Sequence, residues 1–327
     1  MDKNIKILIT GSSGYIGNCL KNYLKKKYTL YLIDKNRFKN KEKNFFLCNL
    51  KNKQKTINII RKINPDTIIH LAGQANLNNI NDKDKYIQNN IIATKNLLKA
   101  TELCNTKNII FSSTANVYLD NIKKVSEKSI VKPKNIYSKS KLICEKNIIN
   151  ESKKLGFKYI IFRFFNVCSA ITELKCGSLH KPETSFIPII INKFLKDKVI
   201  KLYSNSKNDS PKRDYIHIYD LCNALDKGIK YLRLKKKSNI FNIGSNNSIS
   251  SYNLLKYFND KLGKNKLKFN FTGLIHGEIR KSECSNSKIK KELLWKPIKS
   301  NLKNIFNDEL NWQKYCVKNK IKRKFIY

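Results

Sequence analysis

The sequence predicts an α/β protein with a doubly wound parallel sheet and a smaller C-terminal lobe. Short β-branched apolar runs alternate with helical segments from Ile5 to Arg163, which indicates right-handed βαβ units. The first run ends on a glycine turn that passes directly into an amphipathic segment. After Asn166 the pattern changes to shorter elements between loops rich in Ser, Asn, Lys and Pro. We therefore expect two domains, at residues 1–165 and 166–327.

The first domain contains six predicted strands and four predicted helices. Apolar β-branched runs predict strands at 5–9, 29–33, 45–47, 67–70, 108–112 and 158–163. Helical periodicity predicts helices over 14–27, 53–63, 86–104 and 137–155. In the second domain we expect elements at Phe186–Lys196, Asp220–Tyr231, Phe241–Ile243 and Tyr252–Leu262. Some of these segments are expected to return to the first domain, and the basic tail Lys318–Tyr327 is expected to fray.

Length and composition bound the class of protein. Of the 327 residues 41% are hydrophobic, so the chain can bury a sizeable core without disulfides. The nine cysteines are scattered singly, with no C-x-x-C pair, which is typical of reduced thiols in the cytoplasm. No apolar run is long enough to span a bilayer, and because the first predicted strand begins at Ile5 we expect no signal peptide. The histidines lack metal-ligand spacing, so we expect no metal site. We also expect no membrane partner, because no apolar run could span a bilayer.

The net charge of +43 is extreme, and such a charge can indicate a nucleic-acid partner. The basic residues are overwhelmingly Lys, they are spread over every surface segment, and they accompany abundant Asn and Ile. The interleaving of Arg with aromatic residues that is typical of base recognition is missing. We therefore expect no specific nucleic-acid partner, and a non-enzymatic RNA-binding protein is the remote alternative.

The stretch Ile5–Gly17 passes from an apolar strand through a glycine turn into a helix. Gly11 permits a tight turn, Gly14 lets backbone approach a pyrophosphate, and Gly17 lets the helix pack closely on the sheet. The helix N-terminus presents N–H groups and a positive dipole end to the phosphates. The next strand ends on Asp34, whose carboxylate can accept both ribose hydroxyls and so favours NAD over NADP. The pattern predicts a Rossmann-type NAD-binding domain.

Tyr137 and Lys141 open a predicted helix and, being four residues apart, share one of its faces. A cationic lysine next to a phenol stabilises the phenolate, so we expect it to lower the pKa of Tyr137. A tyrosine with a lowered pKa can act as a base near neutrality. Thr114 follows a predicted strand in a run of hydroxyl residues, where it can bond the same substrate oxygen. These three residues are the predicted catalytic set.

Several further strings accompany these residues in a fixed order along the chain. They are His70-Leu71-Ala72-Gly73, Asn89-Asn90, Ser112-Ser113-Thr114, Arg163-Phe164-Phe165-Asn166-Val167, Glu183-Thr184-Ser185-Phe186-Ile187-Pro188, Arg213-Asp214-Tyr215-Ile216-His217, Phe241-Asn242-Ile243-Gly244 and Glu292-Leu293-Leu294-Trp295-Lys296-Pro297. With the glycine turn and the Tyr137–Lys141 pair, they resemble the extended short-chain dehydrogenase/reductase family. Within that family they are most similar to the UDP-glucose 4-epimerases, over nearly the whole chain.

The resemblance implies a role for each matching position. The residues that would contact NAD are Gly11, Gly14, Tyr15, Ile16, Gly17, Asp34, Asn49, Leu50, Leu71, Ala72, Gly73, Asn90, Tyr137, Lys141 and Phe165. Thr114 and Tyr137 would contact the sugar at its reacting carbon, and the UDP portion would be held by Asn166, Ser185, Phe186, Arg213 and Glu278. A homodimer is implied through the helices near 86–104 and 137–155, with apolar surface from Ile87, Ile91, Leu98 and Leu142.

The implied reaction is C4 epimerisation of a UDP-sugar through a transient 4-keto sugar, with tightly bound NAD. A 4,6-dehydratase would need acid–base groups after Thr114, where Ala115 and Asn116 stand. Epimerases of UDP-glucuronate or of N-acetylated UDP-sugars remain open alternatives. The family's usual Arg is missing near Ile275-His276, and its phosphate contact could be replaced by His276 or Arg280.

Overall fold

A computed structural model describes residues 4–37, 42–75, 83–120, 124–181, 183, 185–263, 267–273, 280–322 and 324–325. The strands are β1 (Lys6–Thr10), β2 (Thr29–Asp34), β3 (Phe45–Leu47), β4 (Thr67–His70), β5 (Asn108–Thr114), β6 (Lys158–Phe164), β7 (Asn166–Cys168), β8 (His180–Lys181), β9 (Ile200–Leu202), β10 (Lys212–His217), β11 (Asn239–Ile243), β12 (Ser248–Ser250), β13 (Phe269–Phe271), β14 (Lys281–Ser282) and β15 (Lys324–Phe325).

The helices are α1 (Tyr15–Leu24), α2 (Lys53–Ile63), α3 (Lys83–Tyr86), α4 (Ala93–Thr101), α5 (Ile136–Leu155), α6 (Phe186–Phe194), α7 (Ile218–Lys235), α8 (Ser251–Leu262), α9 (Ser287–Leu293) and α10 (Leu302–Lys318). Between α3 and α4 the chain forms a π-helical turn at Ile87–Ile92. Short 3₁₀ turns stand at Ala115–Val117 and Thr172–Leu174. Asn side chains cap α2, α5 and α10, which fits the preference of this residue for helix starts.

Seven strands form one sheet in the order β11-β6-β5-β4-β1-β2-β3. β1 pairs in parallel with β2 and β4, and the β2–β3 and β4–β5 pairs are also parallel. The order from β3 to β6 is that of a Rossmann fold, so the α/β prediction is confirmed. The strand order reverses between β1 and β4, and a crevice at their carboxyl ends is where such sheets bind ligands.

The chain divides into two compact units. The first unit comprises Met1–Val117, Lys132–Arg163 and Cys222–Phe241. One face of its sheet packs against α2, α4 and α5 through a core that includes Leu8, Ile68, Ile109, Leu97 and Ile148. Alternate strand residues point to the opposite face, and these are also fully buried, as at Ile7, Ile9, Ile69 and Ile110. Burial on both faces is typical of parallel sheets and explains the continuous apolar runs in the sequence.

The second unit comprises Tyr118–Val131, Phe164–Leu221 and Asn242–Tyr327. β10 is its central strand, pairing antiparallel with β12 and in parallel with β14 and β7. α6, α8 and α10 enclose an apolar core that includes Ile190, Leu254, Phe258 and Phe306. The roles assigned to the two predicted domains remain a proposal.

Most predicted elements agree with the structure to within a few residues, and three expectations are wrong. The predicted helix 86–104 is divided by the π-helical turn at Ile87–Ile92, and α4 after it ends at Thr101. Part of the tail is ordered, because β15 pairs in parallel with β8 and α10 continues to Lys318. In addition, Leu98 is only 3% exposed and belongs to the core of the first unit, so it cannot supply dimer surface.

The nine cysteines all lie within the described residues, and none of them is in a disulfide. Eight are buried, as small apolar residues would be, and Cys104 is partly exposed. Across the described parts of the chain, every helix is too short or too polar to cross a membrane.

Candidate active site

The glycine turn after β1 is packed tightly against neighbouring backbone. Gly11 has a φ of +70°, a conformation that favours glycine, and a Cβ there would lie 2.7 Å from the Ala72 nitrogen. A Cβ on Gly17 would lie 2.2 Å from the Gly11 carbonyl oxygen. Gly14 is the N-cap of α1 and makes no side-chain capping bond. The first turn of α1 therefore presents its N–H groups beside a compact turn, which suits a pyrophosphate.

Asp34 ends β2 and lies beside the same turn. Its Oδ2 accepts a hydrogen bond from the Ser13 backbone N–H at 3.0 Å, and its Oδ1 accepts one from Asn36 at 2.8 Å. Each carboxylate oxygen carries a second lone pair, so the group can still accept from ribose hydroxyls. Asn49 and Leu50 follow β3. The backbone N–H of Cys48, just before them, donates to the Asp34 carbonyl at 2.9 Å. This bond holds their loop next to Asp34.

The π-helical turn places Asn90 against the loop that follows β4. Asn90 is 2% exposed, and its Oδ1 accepts a hydrogen bond from the Gln74 N–H at 2.6 Å. Its Nδ2 donates to the Gln74 carbonyl at 3.2 Å and to the Ser140 hydroxyl at 2.8 Å. A Cβ on Gly73 would lie 2.9 Å from Asn90 Oδ1, so a larger residue there would displace the Asn90 amide. Asn90 thus joins the β4 loop to α5, while its predicted contact with NAD remains a proposal.

The predicted catalytic residues Thr114, Tyr137 and Lys141 are brought together in the first unit. Asn135 caps α5 by accepting a hydrogen bond from the Ser138 N–H at 2.8 Å, which fixes where the helix starts. Tyr137 stands in the first turn, and its side chain hydrogen-bonds to that of Thr114 at the end of β5. Lys141 follows one turn later and is 5% exposed. The hydroxyl groups of Thr114 and Tyr137 therefore lie within hydrogen-bonding distance of each other, and Lys141 follows Tyr137 on the same face of α5.

The pKa values of this set differ from the expectation. Desolvation raises the pKa of Tyr137 to about 12, although the hydrogen bond from Thr114 acts to lower it. The Lys141 ammonium lies 4.4 Å from the centroid of the Phe111 ring. Burial lowers the pKa of Lys141 to about 8, against the opposing effects of Cys144 and the carboxylate one turn later. The prediction that Lys141 lowers the pKa of Tyr137 is therefore wrong, because desolvation outweighs the effects that favour the phenolate.

His70, at the end of β4, contacts two threonine hydroxyls next to the predicted site. It is fully buried, with Nδ1 2.7 Å from the Thr10 hydroxyl and Nε2 3.0 Å from the Thr94 hydroxyl. Burial and the charge of Lys141 lower the pKa of His70 to about 3, so the imidazole is neutral. Thr10 in turn accepts a hydrogen bond from the Ala72 N–H at 3.3 Å. His70 therefore fixes the end of β1 and the loop after β4.

The first unit offers a surface that fits a dinucleotide. Four observations support this fit: the glycine turn, the uncapped start of α1, the carboxylate of Asp34, and the glycine-lined loop after β4. Tyr15 and Ile16 form the first residues of α1, and Leu71 and Ala72 follow β4, so both predicted pairs border the turn. These are the residues that would hold NAD, and their individual contacts remain proposals.

In the second unit, Arg213 and Asn166 lie on neighbouring strands. Arg213 stands on β10, half-buried, between Ile249 of β12 and Ser282 of β14. Asn166 of β7 pairs with the residue two positions after Arg213 and donates from Nδ2 to the Asp214 carbonyl at 3.1 Å. Both polar side chains are thus held on rigid strands, as a diphosphate site would require.

Asp214 points to the opposite face of β10 from Arg213, because neighbouring strand residues alternate. It is fully buried, and its oxygens accept from the N–H groups of Ser245, Asn246 and Cys284 at 2.6, 2.9 and 3.0 Å. The Ser245 hydroxyl also donates to it at 2.7 Å. Burial nevertheless raises the pKa of Asp214 to about 6. Asp214 therefore connects β10 to two loops.

The other predicted substrate residues are distributed around the same unit. Ser185 is the N-cap of α6 but makes no side-chain capping bond, and Phe186 begins that helix and packs against the core. Phe165, which the resemblance assigns to the NAD contacts and not to the substrate, is 5% exposed, and its N–H donates to the Ile243 carbonyl at 3.0 Å. Arg280 donates to the Asp209 carbonyl. Glu278, Ile275, His276 and Thr184 lie outside the described residues.

Two buried carboxylates of these units were not identified from the sequence. Asp214 lies inside a quoted string, but its partners are separated from it by 31 or more residues. Glu145 lies on α5 four residues after Lys141, a spacing that the sequence does show. That spacing alone did not reveal its partners on β5 and β6.

Comparisons with known proteins agree with this geometry. The model of the NAD dependent epimerase/dehydratase family matches residues 7–244. A UDP-glucose 4-epimerase from Halalkalibacterium halodurans is 27% identical over 333 residues, covering 97% of this chain and 99% of that protein.

Two solved structures are similar over almost the whole chain. A UDP-glucose 4-epimerase from Stenotrophomonas maltophila, crystallised with NAD and formylated UDP-arabinopyranose, superposes with a TM-score of 0.87 at 21% identity, covering 96% of this chain and 99% of that one. A UDP-Glc/GlcNAc 4-epimerase from Campylobacter jejuni superposes with a TM-score of 0.80 at 26% identity, covering 95% of this chain and 100% of that one. The family model spans most of the sequence and includes the glycine turn, Thr114, Tyr137 and Lys141. The chain therefore belongs to the NAD dependent epimerase/dehydratase family.

Proposed function

We propose that the protein interconverts UDP-glucose and UDP-galactose by inverting C4 of the sugar through a transient 4-keto intermediate. One observation carries the proposal: the side chains of Thr114 and Tyr137 are hydrogen-bonded to each other, and Lys141, one turn further along α5, is buried with its ammonium beside Gly73 of the loop after β4. UDP-glucose 4-epimerases that match nearly the whole chain support this choice of substrate.

Each side chain has a distinct role in this reaction. Tyr137, as its phenolate, takes the proton of the sugar 4-hydroxyl and returns it after the sugar has turned over. Because desolvation raises the pKa of Tyr137 to about 12, forming the phenolate requires positive charge at the site. Thr114 bonds the same oxygen and orients it toward Tyr137. Lys141 has a pKa of about 8, so it is mostly protonated at neutral pH and stabilises negative charge on the phenol oxygen. Bound NAD supplies the hydride acceptor and donor at C4.

The second unit holds the part of the substrate that does not react. Arg213 offers a planar guanidinium that matches a diphosphate. Asn166, Ser185, Phe186 and Glu278 would complete the UDP site. Fixing UDP there lets the keto sugar rotate while it remains bound, which is the positioning effect that the reaction needs.

We also propose a cytoplasmic homodimer. Ile143 is 42% exposed on α5 and Leu142 beside it is half-buried, as are Ile87 and Ile91 in the π-helical turn. These apolar side chains form surface that a second copy could cover. Nine cysteines without a disulfide support a reducing compartment.

The test is to incubate the purified full-length protein with UDP-galactose, without added NAD, and to analyse the products. We expect UDP-glucose to form, and we expect mass spectrometry of the released cofactor to find NAD. The Tyr137→Phe protein is the control for contaminating activity. Loss of water from the sugar would instead identify a dehydratase, and tight RNA binding at physiological salt without turnover would favour the polyanion alternative. NADP as the main cofactor would contradict the assignment of Asp34.

A second candidate reaction is C4 epimerisation of N-acetylated UDP-hexoses. The similarity to the UDP-Glc/GlcNAc 4-epimerase of Campylobacter jejuni favours it. UDP-N-acetylglucosamine and UDP-glucuronate are therefore assayed in parallel, and the substrate with the highest kcat/KM defines the preference.

A further inference from the structure

Glu145 forms a buried link between α5 and two strands of the main sheet. Its Oε1 accepts hydrogen bonds from the Ser113 hydroxyl and from Arg163 Nε, the latter at 3.1 Å. Its Oε2 accepts from Arg163 Nη2 at 2.6 Å, which completes a bidentate pair. Glu145, Arg163 and Ser113 are 1%, 5% and 2% exposed. Every oxygen of this carboxylate is therefore engaged away from solvent.

A buried ion pair of this kind is a weak source of stability. Removing both charges from water costs free energy that the pair repays only with good geometry, and apolar side chains of similar volume often serve as well. What the pair does provide is direction, because a guanidinium and a carboxylate fit together in one orientation. The register of α5 against β5 and β6 is thereby specified.

Glu145 and Ser113 lie on the same two elements, α5 and β5, as the predicted catalytic residues. Ser113 precedes Thr114 on β5, so the bond to Glu145 fixes the strand at the residue next to the catalytic hydroxyl. Glu145 follows Tyr137 and Lys141 on α5 at intervals of eight and four residues, which places all three on one helix face. Displacing α5 along the sheet would separate the Tyr137 and Thr114 hydroxyls.

We propose that Glu145 is a positioning residue, which through Arg163 and Ser113 holds the catalytic face of α5 in register with Thr114. This inference rests on the proposed function, because it concerns how the Tyr137–Thr114 pair is maintained. Glu145 itself does not contact substrate.

The second part of the role is electrostatic. The groups that face Lys141 are Cys144 and Glu145 on its own helix, His70 from β4 and the Phe111 ring from β5, with Arg163 on β6 beyond Glu145. Burial lowers the pKa of Lys141, and the Glu145 carboxylate opposes this effect. His70 is neutral and contributes no charge. Without Glu145, Lys141 would lose its proton at a lower pH.

The experiment compares three full-length variants with the wild-type enzyme. Glu145→Gln keeps the shape but removes the charge. The double variant Glu145→Leu/Arg163→Met replaces the pair by apolar side chains, so that folding does not depend on an unpaired buried arginine. Glu151→Gln is the matched control, because Glu151 makes an ion pair with Lys154 at the outer surface of the same helix.

We expect both Glu145 variants to retain NAD and circular dichroism, and to lose kcat by about 10- to 100-fold while KM changes little. The alkaline limb of the kcat–pH profile, where Lys141 loses its proton, should move to lower pH by about one unit. Glu151→Gln should match the wild type in every measurement. A folded double variant with full kcat overturns the proposal, and so does a loss of kcat that is equal at all pH values.

Failure of the proposed function is recognised separately. A wild-type protein that converts no UDP-sugar refutes that function, and the inference is then decided by the pKa of Lys141 alone. That pKa is read from the ¹³Cε signal of labelled lysine that disappears in Lys141→Arg. A lower pKa in Glu145→Gln supports the electrostatic role, and an unchanged pKa overturns the inference.

Discussion

Tyr137 experiences two opposing influences in this protein. The hydrogen bond from Thr114 favours the phenolate, whereas desolvation favours the phenol and dominates, raising the pKa to about 12. The neighbouring Tyr86 ring, 6.2 Å away between centroids, also acts against ionisation. Proton transfer by Tyr137 therefore depends on positive charge supplied at the site, and Lys141 on the same helix face is one source of it.

Tyr137→Phe should lower epimerisation by about 10²–10⁴-fold while NAD remains bound, because the ring still packs but the proton carrier is gone. Turnover of UDP-galactose and the cofactor content of the purified protein are the measurements. Tyr159→Phe, which removes a hydroxyl from a half-buried tyrosine on β6, is the control and should be nearly normal. A Tyr137→Phe enzyme with near-normal turnover would remove Tyr137 from the mechanism.

Arg213→Ala should weaken UDP-sugar binding by roughly 1.5–3 kcal/mol, the range of hydrogen bonds to charged groups. Arg213→Lys should recover only part of the loss, because an ammonium lacks the planar fork. Calorimetric titration with UDP gives both values. Arg233→Ala removes an exposed arginine from α7 and should leave UDP affinity unchanged. Unaltered UDP affinity together with a collapse of RNA binding in Arg213→Ala would contradict the proposed site.

At the scale of elements, β10 carries two neighbouring charges with separate tasks. Its Arg213 is half-buried, while Asp214 on the other face is buried and binds the N–H groups of two loops. An amide in place of that carboxylate would direct N–H donors at other N–H donors. Asp214→Asn should therefore destabilise the fold by about 1–3 kcal/mol at pH 7.

The pH dependence of Asp214 has a definite sign. Its pKa is raised in the folded state to about 6, so the fold binds this proton more tightly than the unfolded chain does. Its contribution to stability is greatest below the unfolded pKa and is lost as pH rises through about 6. Urea unfolding should show the advantage of the wild type over Asp214→Asn growing by about 2 kcal/mol between pH 7 and pH 4.5. An advantage independent of pH would show that Asp214 is not protonated in this range.

The elements differ in how far the sequence could predict them. The strands of the main sheet are evident because both faces are buried, which produces continuous apolar runs. The π-helical turn is not evident, because it depends on the bonds that Asn90 makes to Gln74 and Ser140, sixteen and fifty residues away. The catalytic trio follows from spacing and motif context. The direction of the Tyr137 pKa does not, since desolvation is a property of the folded site.

At the scale of the whole molecule, the net charge of +43 opposes association of two copies. Screening reduces this repulsion, because the Debye length is about 8 Å at physiological ionic strength. The apolar residues Ile87, Ile91, Leu142 and Ile143 are the surface that would have to overcome the remainder. Dimer formation is therefore expected to depend on salt.

Light scattering at micromolar concentration and physiological salt should give twice the chain mass of 38.2 kDa. Ile143→Glu should yield monomers, because it adds a charge to the proposed interface. Leu234→Glu, at an 81% exposed leucine on α7, should leave the dimer intact. A wild-type protein that is monomeric under these conditions would refute the proposed dimer.

The distribution of the cysteines has a practical consequence. Eight of the nine thiols are buried, and Cys104, shortly after α4, is the partly exposed one. Burial raises the pKa of Cys104, so its thiolate is scarce at neutral pH and alkylation there is slow. Prolonged maleimide treatment of the folded protein near neutral pH, where the many lysine amines stay protonated and unreactive, would thus attach one fluorophore per chain, at a defined position in the first unit. The native sequence therefore already contains a single-site label for fluorescence measurements, without any cysteine having to be removed.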